Sequence, residues 1–376
     1  MILTDSRCNC KRLQADLRLG RSVIFALSLA LSLVRFVFAS HDSAGVLLYG
    51  DSLVRRPPMD EVIPLVAARV TPIVLIIALG ALIRRAELIS PTSVEDLKKL
   101  VVMIALPAVL FRAFLEMTLS SAYLALFALI LAACLLLYGY GLLLQRLGGE
   151  GAGYRPFMAT GFEFGMMGIT LFGTAYGLDA VGYIAVVDVS HELFIWFFFV
   201  TMLKRKQGGL VDTATTLKSF VRSPVILAIC SGLVLNVFGL GPALARYPAS
   251  AALLETLDVL AMLLIPTILL VIGYGLRVYR SALRAATVTV LQRLAVVIPI
   301  TLLLLTVIDS RWVTLAPAFR PAVVTFMLLP PPFIVPIFMP RHPQRDQEYV
   351  NAVLSLHTAV SLLLFISYFS LNPTLG

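Results

Sequence analysis

The sequence predicts an all-α membrane protein in which ten transmembrane helices form two inverted five-helix repeats. Three observations predict this fold class: an apolar composition, a series of long apolar segments, and prolines and glycines at matching places in the two halves. The 376 residues are 59% hydrophobic and 14% charged, with a mean hydropathy of +0.94. A soluble globular protein is not this apolar.

Ten apolar segments follow residue 59, and short loops separate them. Continuous runs near the ~20 residues of a membrane-crossing helix favour helical spans over a β-barrel, whose strands alternate. The first repeat is predicted at 59–206, a linker at 207–216 and the second repeat at 217–376. The segments cover approximately 63–83, 97–115, 121–144, 156–177, 180–203, 217–238, 252–276, 286–308, 321–339 and 349–370.

Residues 1–58 form an N-terminal extension of different character. A basic stretch precedes "SVIFALSLALSLV", which is the order of charge and hydrophobicity in a secretory signal. Ala39 is a candidate cleavage position, whereas Arg35 interrupts the apolar core. Three interpretations stay open: a removable segment, a true start at Met59, or an extra anchor helix. The first two are favoured, because the later segments complete the architecture.

Lysines and arginines are distributed unevenly between the two sides of the predicted membrane. If residue 59 starts outside, fifteen of them fall in cytoplasmic loops and three, Arg246, Arg311 and Arg320, in external loops. This asymmetry follows the positive-inside rule and orients the chain. The linker at 204–216 is therefore predicted to be cytoplasmic and the C-terminus external. The net charge of +9 reflects topology, so no nucleic-acid partner is expected.

The two halves carry matching features. Segment one, with "TPIVLIIALGAL", has Pro72 eight residues before Gly80, and segment six, with "SPVILAICSGLV", has Pro224 eight residues before Gly232. A duplicated unit of five helices enters the membrane from the opposite side the second time. Such an inverted repeat is a construction principle of secondary transporters.

Further matches follow the same register. Segments two and seven each have a central proline, Pro107 and Pro266, and segments five and ten each have one histidine, His191 and His357. Segments four and nine are the most interrupted ones.

Segment nine contains "FMLLPPPFIVPIFMPRH", with the consecutive prolines Pro330, Pro331 and Pro332. Each interior proline costs a helix about 3 kcal/mol or more, because it removes a donor and clashes with the preceding turn. Irregular backbone at membrane depth is tolerated inside protein or beside a water-filled cavity. The prolines therefore predict a break that leaves backbone polarity for a solute.

Segment four is "GFEFGMMGITLFGTAYG", in which glycines such as Gly165 and Gly168 recur along one stretch. Two interpretations stay open: the glycines permit close helix packing, or the segment is a second broken helix. Interrupted segments at corresponding places in two halves point to a transport site, so the second interpretation is favoured.

Several motifs resemble one family of membrane transport proteins, the auxin efflux carriers. They are "TPIVLIIALGALIRRAELIS", "LVVMIALPAVLF", "GMMGITLFGTAYG", "SPVILAICSGLVLN", "IPTILLVIGYGLR" and the proline-rich segment nine, and together they span nearly all of 59–376. The resemblance implies an NhaA-like fold with helices four and nine broken and crossing. It also implies a multi-pass protein of the bacterial inner membrane that carries an organic anion, such as a mono- or dicarboxylate, by uniport or ion coupling.

The chain departs from the family pattern at several polar positions. The family has asparagines where Met103, Glu163 and Val335 stand here, and a proline where Thr170 stands. These departures favour, as the alternative function, a non-transporting receptor or degenerate paralogue of the same fold.

Ionisable groups inside a membrane are expensive and point to function. Glu163 is the strongest candidate, because it lies in the predicted break of segment four and could carry a coupling proton. The alternative is a structural ion pair with Arg112 or Arg69. Arg293, with Arg222 and Arg277, is predicted near a cytoplasmic helix end, with its charged group reaching the interface.

Asp188, His191 and Glu192 are spaced to share one face of segment five. They predict a proton relay or, alternatively, an interhelical hydrogen-bond cluster. His357 alone is more typical of a packing residue. No second histidine completes a zinc-protease motif, so no metal site is predicted.

The predicted function is secondary transport of a small organic solute by alternating access, with the lipid bilayer and a second copy in a homodimer as further partners. No Walker motif is present, so no nucleotide cofactor is expected. Proton or sodium coupling is the expected energy source. An enzyme is not predicted, because a nucleophile–base pair or ligand set is lacking outside the His191 cluster.

Overall fold

The computed structural model describes residues 47–49, 52–54, 59–206, 213–277, 279–310, 315–339 and 344–375. These residues are almost entirely helical, which confirms the predicted all-α class. Two three-residue strands, Leu47–Tyr49 and Ser52–Val54, form an antiparallel pair. The predicted signal-like run before residue 47 and residues 207–212 of the predicted linker at 207–216 lie outside the described residues.

Sixteen α-helices run through the described residues. They are α1 Met59–Arg85, α2 Pro91–Leu100, α3 Leu106–Glu116, α4 Ala122–Arg146, α5 Arg155–Ala159, α6 Ile169–Tyr176, α7 Val181–Leu193, α8 Val200–Lys206, α9 Thr213–Val221, α10 Pro224–Val237, α11 Gly241–Arg246, α12 Pro248–Met262, α13 Leu264–Gly275, α14 Leu283–Ile308, α15 Phe319–Met327 and α16 Gln344–Leu371. Wider π-helical turns join α2 to α3, precede α6 and join α7 to α8; they are Val101–Ala105, Phe164–Gly168 and Phe194–Phe199.

Six helices within the described ranges are long and apolar enough to cross a membrane. They are Ile63–Arg85, Ala122–Arg146, Leu178–Lys206, Pro248–Gly275, Arg280–Ile308 and Gln344–Leu371. Two shorter apolar helices, Phe164–Tyr176 and Pro224–Val237, fall below that length. The chain is therefore an integral membrane protein by length and composition.

The predicted segments outside these six have identifiable reasons for falling short. Segment two begins in the charged helix α2, whose Glu95, Asp96, Lys98 and Lys99 lower its hydropathy. Segments four and nine are interrupted by non-helical residues. Segment six is helical for only 14 residues.

The helices pack in two groups. The first bundle consists of α1, α2, α3, α10, α12 and α13, with α1 packed on α13 and α3 packed on α10. The second bundle consists of α4, α5, α6, α7, α14, α15 and α16, with α4 against α5 and α7, and α14 against α16. The two bundles meet along a seam where α3 contacts α7 and α13 contacts α6.

Glycines allow close backbone contact inside the first bundle. A Cβ atom on Gly80 of α1 would overlap the carbonyl oxygen of Leu270 on α13. A Cβ atom on Gly232 of α10 would lie 2.6 Å from the carbonyl oxygen of Phe111 on α3. Small residues are typical of such close helix crossings in membranes.

We expect Gly80→Ala to destabilise the protein, because its methyl group would push apart two backbones that have no flexible atom to move. Overpacking of this kind costs about 1–3 kcal/mol. Gly139→Ala is the control, since Gly139 has open space around its Cβ position. Thermal unfolding in detergent should show a lower midpoint for the first variant and an unchanged or higher one for the second. Equal midpoints would contradict the close crossing.

Candidate functional site

The first helix interruption lies between α5 and the π-helical turn that precedes α6. Thr160 has extended backbone, with φ −124° and ψ 171°, and Gly161 has a φ of +72°. A Cβ atom on Gly161 would lie 2.7 Å from Cγ of Pro332. Glycine is needed here because both the left-handed conformation and the close approach exclude a side chain.

The second interruption follows α15, which ends at Met327. Pro330, Pro331 and Pro332 lie in it, and all three are buried. A buried proline leaves no unpaired backbone N–H group, so irregular backbone is less costly here than it would be with other residues. The short 3₁₀ turn Val335–Phe338 resumes the helical path.

Glu163 fastens the two interruptions to each other. Its backbone N–H donates to the carbonyl oxygen of Pro330 at 2.9 Å. Its carboxylate oxygen Oε2 accepts from the backbone N–H of Phe333 at 2.6 Å, and Oε1 accepts from that of Met166 at 3.4 Å. Glu163 therefore caps the π-helical turn that leads into α6, and it also binds the backbone of the second interruption.

The alternative in which Glu163 pairs with an arginine is wrong. Arg112 binds Asp258 and Glu116, each at 2.8 Å. Arg69 donates to the carbonyl oxygen of Thr174 at 3.4 Å. Backbone amides at the interruptions are available to the carboxylate and cost no side-chain entropy to position.

Arg293 of α14 binds backbone carbonyls next to both interruptions. Its guanidinium group donates to the carbonyl oxygens of Met158, Thr160, Gly161 and Leu329, at 3.1, 3.3, 2.6 and 3.3 Å respectively. It also lies 4.9 Å from the ring centroid of Phe162. The carbonyls belong to the ends of α5 and α15, where helix dipoles concentrate partial negative charge. A cation there neutralises both ends.

The prediction that Arg293 reaches a membrane interface is wrong. Its side chain is 1% exposed and lies well inside α14, whereas Arg222 and Arg277 are exposed. The unpaired carbonyls of two interrupted helices create a need for donors that a single helix would not have. An arginine in the middle of an apolar segment was the available signal for this role.

The polar residues of α7 meet the first interruption. His191 Nε2 accepts from the backbone N–H of Phe162 at 2.9 Å, so the ring proton is on Nδ1, which donates to Asp188 Oδ1 at 2.8 Å. Trp196 donates to Glu192 Oε1 at 2.8 Å. Asp188, His191 and Glu192 thus share one face, as the spacing predicts.

These three side chains each place a ligand atom within 4.8 Å of the others, a spacing that metal sites share. Both nitrogens of His191 already take part in hydrogen bonds. A metal ion would have to displace one of them, so the arrangement favours a hydrogen-bonded cluster.

A large cavity of about 660 Å³ opens beside this cluster, between the two bundles. Among the predicted site residues it is lined by Glu163, Gly165, Asp188, His191 and Pro332. The first bundle contributes residues of α2, α3 and α13, and the second contributes residues of α7 and α16.

The remaining predicted site residues do not line this cavity. Gly168 packs against Leu329, Thr170 Oγ1 donates to the carbonyl oxygen of Met166 at 2.6 Å, and His357 is 1% exposed. Pro330 and Pro331 lie behind Pro332 in the second interruption. These residues are therefore not placed to touch a solute in the large cavity.

A small cavity of about 340 Å³ lies at the other end of the same seam. It is lined by Arg112, Asp258, Asp179 and Tyr183, among others. The Arg112–Asp258 ion pair joins α3 to α12 beside it.

Compared with models of known protein families, the chain matches none. A comparison with curated proteins finds no match either. The resemblance to auxin efflux carriers stays a prediction.

We expect Glu163→Ala to destabilise the protein more than Glu163→Gln. Alanine leaves the amides of Phe333 and Met166 without their acceptor, at about 1–3 kcal/mol for each buried donor, whereas glutamine keeps one acceptor oxygen. Glu95→Gln, at a 62% exposed side chain, is the control and should unfold like the parent. Thermal unfolding followed by circular dichroism checks this order, and three equal midpoints would contradict it.

Arg293→Met should be among the most destabilising single changes in the chain. It removes every donor from four buried carbonyls, and hydrogen bonds to charged groups contribute about 1.5–3 kcal/mol each. Arg293→Lys keeps the charge but not the planar fork, so its loss should be intermediate. Arg277→Met is the exposed control. The midpoints of unfolding should fall in that order, and a stable Arg293→Met variant would refute the capping role.

Proposed function

We propose that this protein is a secondary carrier that moves a small organic solute by alternating access along the seam between its two bundles. The observation that carries the proposal is the pair of cavities at opposite ends of that seam. A carrier exposes its binding site first to one side of the membrane and then to the other. Each of the two cavities would give a solute access from one of these sides.

Three helical segments line the small cavity with one part of their length and the large cavity with another part. Along α3, Leu106 lines the large cavity and Arg112 the small one. Along α7, Gly182 lines the small cavity and His191 the large one. The pair α12–α13 does the same from Asp258 to Val271. The cavities are therefore separated along the helix axes, with the crossing of the two interruptions beside the large one.

The inverted repeat that this proposal assumes is supported by matched contacts. Gly80 of α1 packs against the backbone of Leu270 and Tyr274, which follow Pro266 by four and eight residues. These contacts join segment one to segment seven.

The second contact repeats the pattern with the halves exchanged. Gly232 of α10 packs against the backbone of Phe111 and Leu115, which follow Pro107 by the same four and eight residues. Segments six and two thus meet as segments one and seven do. Reciprocal contacts of this kind are what a two-fold axis in the membrane plane produces.

On this proposal the ten segments form two inverted five-helix repeats, with segments four and nine as the broken, crossing helices. The large cavity opens at the end of α2 that has Lys98, on the side where basic residues are concentrated. The positive-inside rule places that side in the cytoplasm, so the present state faces inward. Residence in a bacterial inner membrane and proton or sodium coupling are parts of the proposal that come from the resemblance.

A receptor that binds a solute without releasing it on the far side is the second candidate. A receptor would keep the Arg112–Asp258 ion pair beside the small cavity intact at all times. A carrier would have to break that pair when the seam opens on this side. The organic anion implied by the resemblance is the first solute class to test.

Cysteine accessibility tests the two-sided seam. In a background without the four native cysteines, Ser355→Cys in the large cavity and Ala113→Cys in the small one should react from opposite sides of sealed vesicles. A state change should raise the reactivity of one and lower that of the other, because a single seam opens at one end at a time. Labelling of both from one side would refute alternating access.

Uptake by the full-length chain in liposomes separates carrier from receptor. Labelled mono- and dicarboxylates, amines and neutral solutes should be tested with and without a proton gradient. Saturable uptake of at least one solute is expected, and Asp258→Asn should slow it by loosening the small-cavity closure. Binding without uptake across the whole set would favour the receptor.

A further inference from the structure

The large cavity is lined by more acidic than basic side chains. Its ionisable lining residues within the described part of the chain are Glu95, Lys98, Glu163, Asp188, His191 and Glu192. Lys98 is paired with Glu95 at 2.7 Å, so that pair is neutral as a unit. His191 is held in a neutral form by its two hydrogen bonds. Glu163, Asp188 and Glu192 remain as carboxyl groups that no lysine or arginine among the lining residues pairs with.

Two backbone donors at the interruptions that could receive an anion are already used. Free amides at interrupted helices attract anionic groups, and here the amides of Phe333 and Met166 both donate to the carboxylate of Glu163. The chain thus places its own anion where an anionic solute would bind. The two terminal nitrogens of Arg293 likewise donate to four carbonyl oxygens, and Arg293 is not among the residues that line the cavity.

A hydroxyl group in the cavity wall is available to form a hydrogen bond with a ligand. Thr358 of α16 is 3% exposed and lines the large cavity. No hydrogen bond from its hydroxyl group is found within the described residues. A hydroxyl group without a protein partner can be satisfied by a ligand or a water molecule, and Thr358 lines the cavity beside the carboxyl groups.

Aromatic side chains complete the wall. Trp196, Tyr279 and Phe333 line the same cavity, and Trp196 is fixed by its hydrogen bond to Glu192. Aromatic faces next to carboxylates are the combination that recognises ammonium groups in proteins. A volume of about 660 Å³ is in the range of small-molecule sites.

We propose that the large cavity binds a small organic ammonium cation, with Asp188 and Glu192 as its counter-charges and the Thr358 hydroxyl group as a polar contact. This inference rests on the proposed carrier function and names its substrate class. It replaces the organic anion with a cation, because the amides of Phe333 and Met166 are taken and the ionisable groups left without a basic partner are carboxyl groups.

Binding to the purified full-length protein tests the substrate class. The probe is labelled choline, competed by tetramethylammonium and butylammonium, by 3,3-dimethylbutan-1-ol as its uncharged isostere, and by succinate. Saturable choline binding that the ammonium compounds displace, and that the isostere and succinate do not, is the expected result. Failure of all three ammonium compounds to bind, or displacement by succinate, would overturn the assignment.

Three substitutions assign the cavity as the site. Asp188→Asn keeps an acceptor for His191 and should weaken choline binding about 10- to 100-fold, because it removes a counter-charge of the quaternary ammonium group in a site less polar than water. Thr358→Val keeps the shape of the side chain and should weaken it by a smaller factor. Asp96→Asn, at an exposed residue paired with Lys99, is the matched control. Unchanged binding in Asp188→Asn would overturn the proposal.

Uptake measured in parallel separates this inference from the carrier proposal. Choline binding without choline uptake would leave the cation site intact and contradict the carrier. Succinate uptake without binding of any ammonium compound would leave the carrier intact and contradict the cation site.

Discussion

The contact between two helix interruptions determines how the rest of this protein is arranged. Interrupted backbone in a membrane leaves unpaired amides and carbonyls, and each one must be satisfied inside the protein. Glu163 supplies the acceptor for the amides of Met166 and Phe333, and Arg293 supplies donors for four carbonyls. These two side chains of opposite charge allow non-helical backbone to persist at the centre of the second bundle, beside the large cavity.

The seam between the bundles follows from the same constraint. Pro332 packs against Gly161, and the hydrogen bonds of Glu163 join the two interruptions to each other. The first bundle is held by its own glycine contacts, in which backbone meets backbone at Gly80 and Gly232. Two units that are each tightly packed, with cavities at both ends of their interface, can move against each other more readily than either can deform internally.

Much of this arrangement was predictable from sequence because the relevant signals are local. The three consecutive prolines predict an interruption at 330–332, and the spacing of Asp188, His191 and Glu192 predicts their common face. The partners of Glu163 were not predictable, because they are backbone amides about three and 170 residues away that carry no sequence signal. The role of Arg293 was missed for a similar reason: its acceptors are carbonyls, exposed only by the interruptions. The occupied anion position and the unpaired hydroxyl of Thr358 are likewise features of geometry.

The distance between the two bundles is the most direct measure of the central proposal, that they move against each other beside the two joined interruptions. One spin label at Lys98 of α2 and one at Ile337, in the 3₁₀ turn that contacts α16 of the second bundle, report that distance by pulsed electron paramagnetic resonance in lipid. Both residues line the large cavity. The account predicts two populations whose proportions shift when a bound solute or a proton gradient is supplied. A single distance, unchanged under every condition, would contradict it.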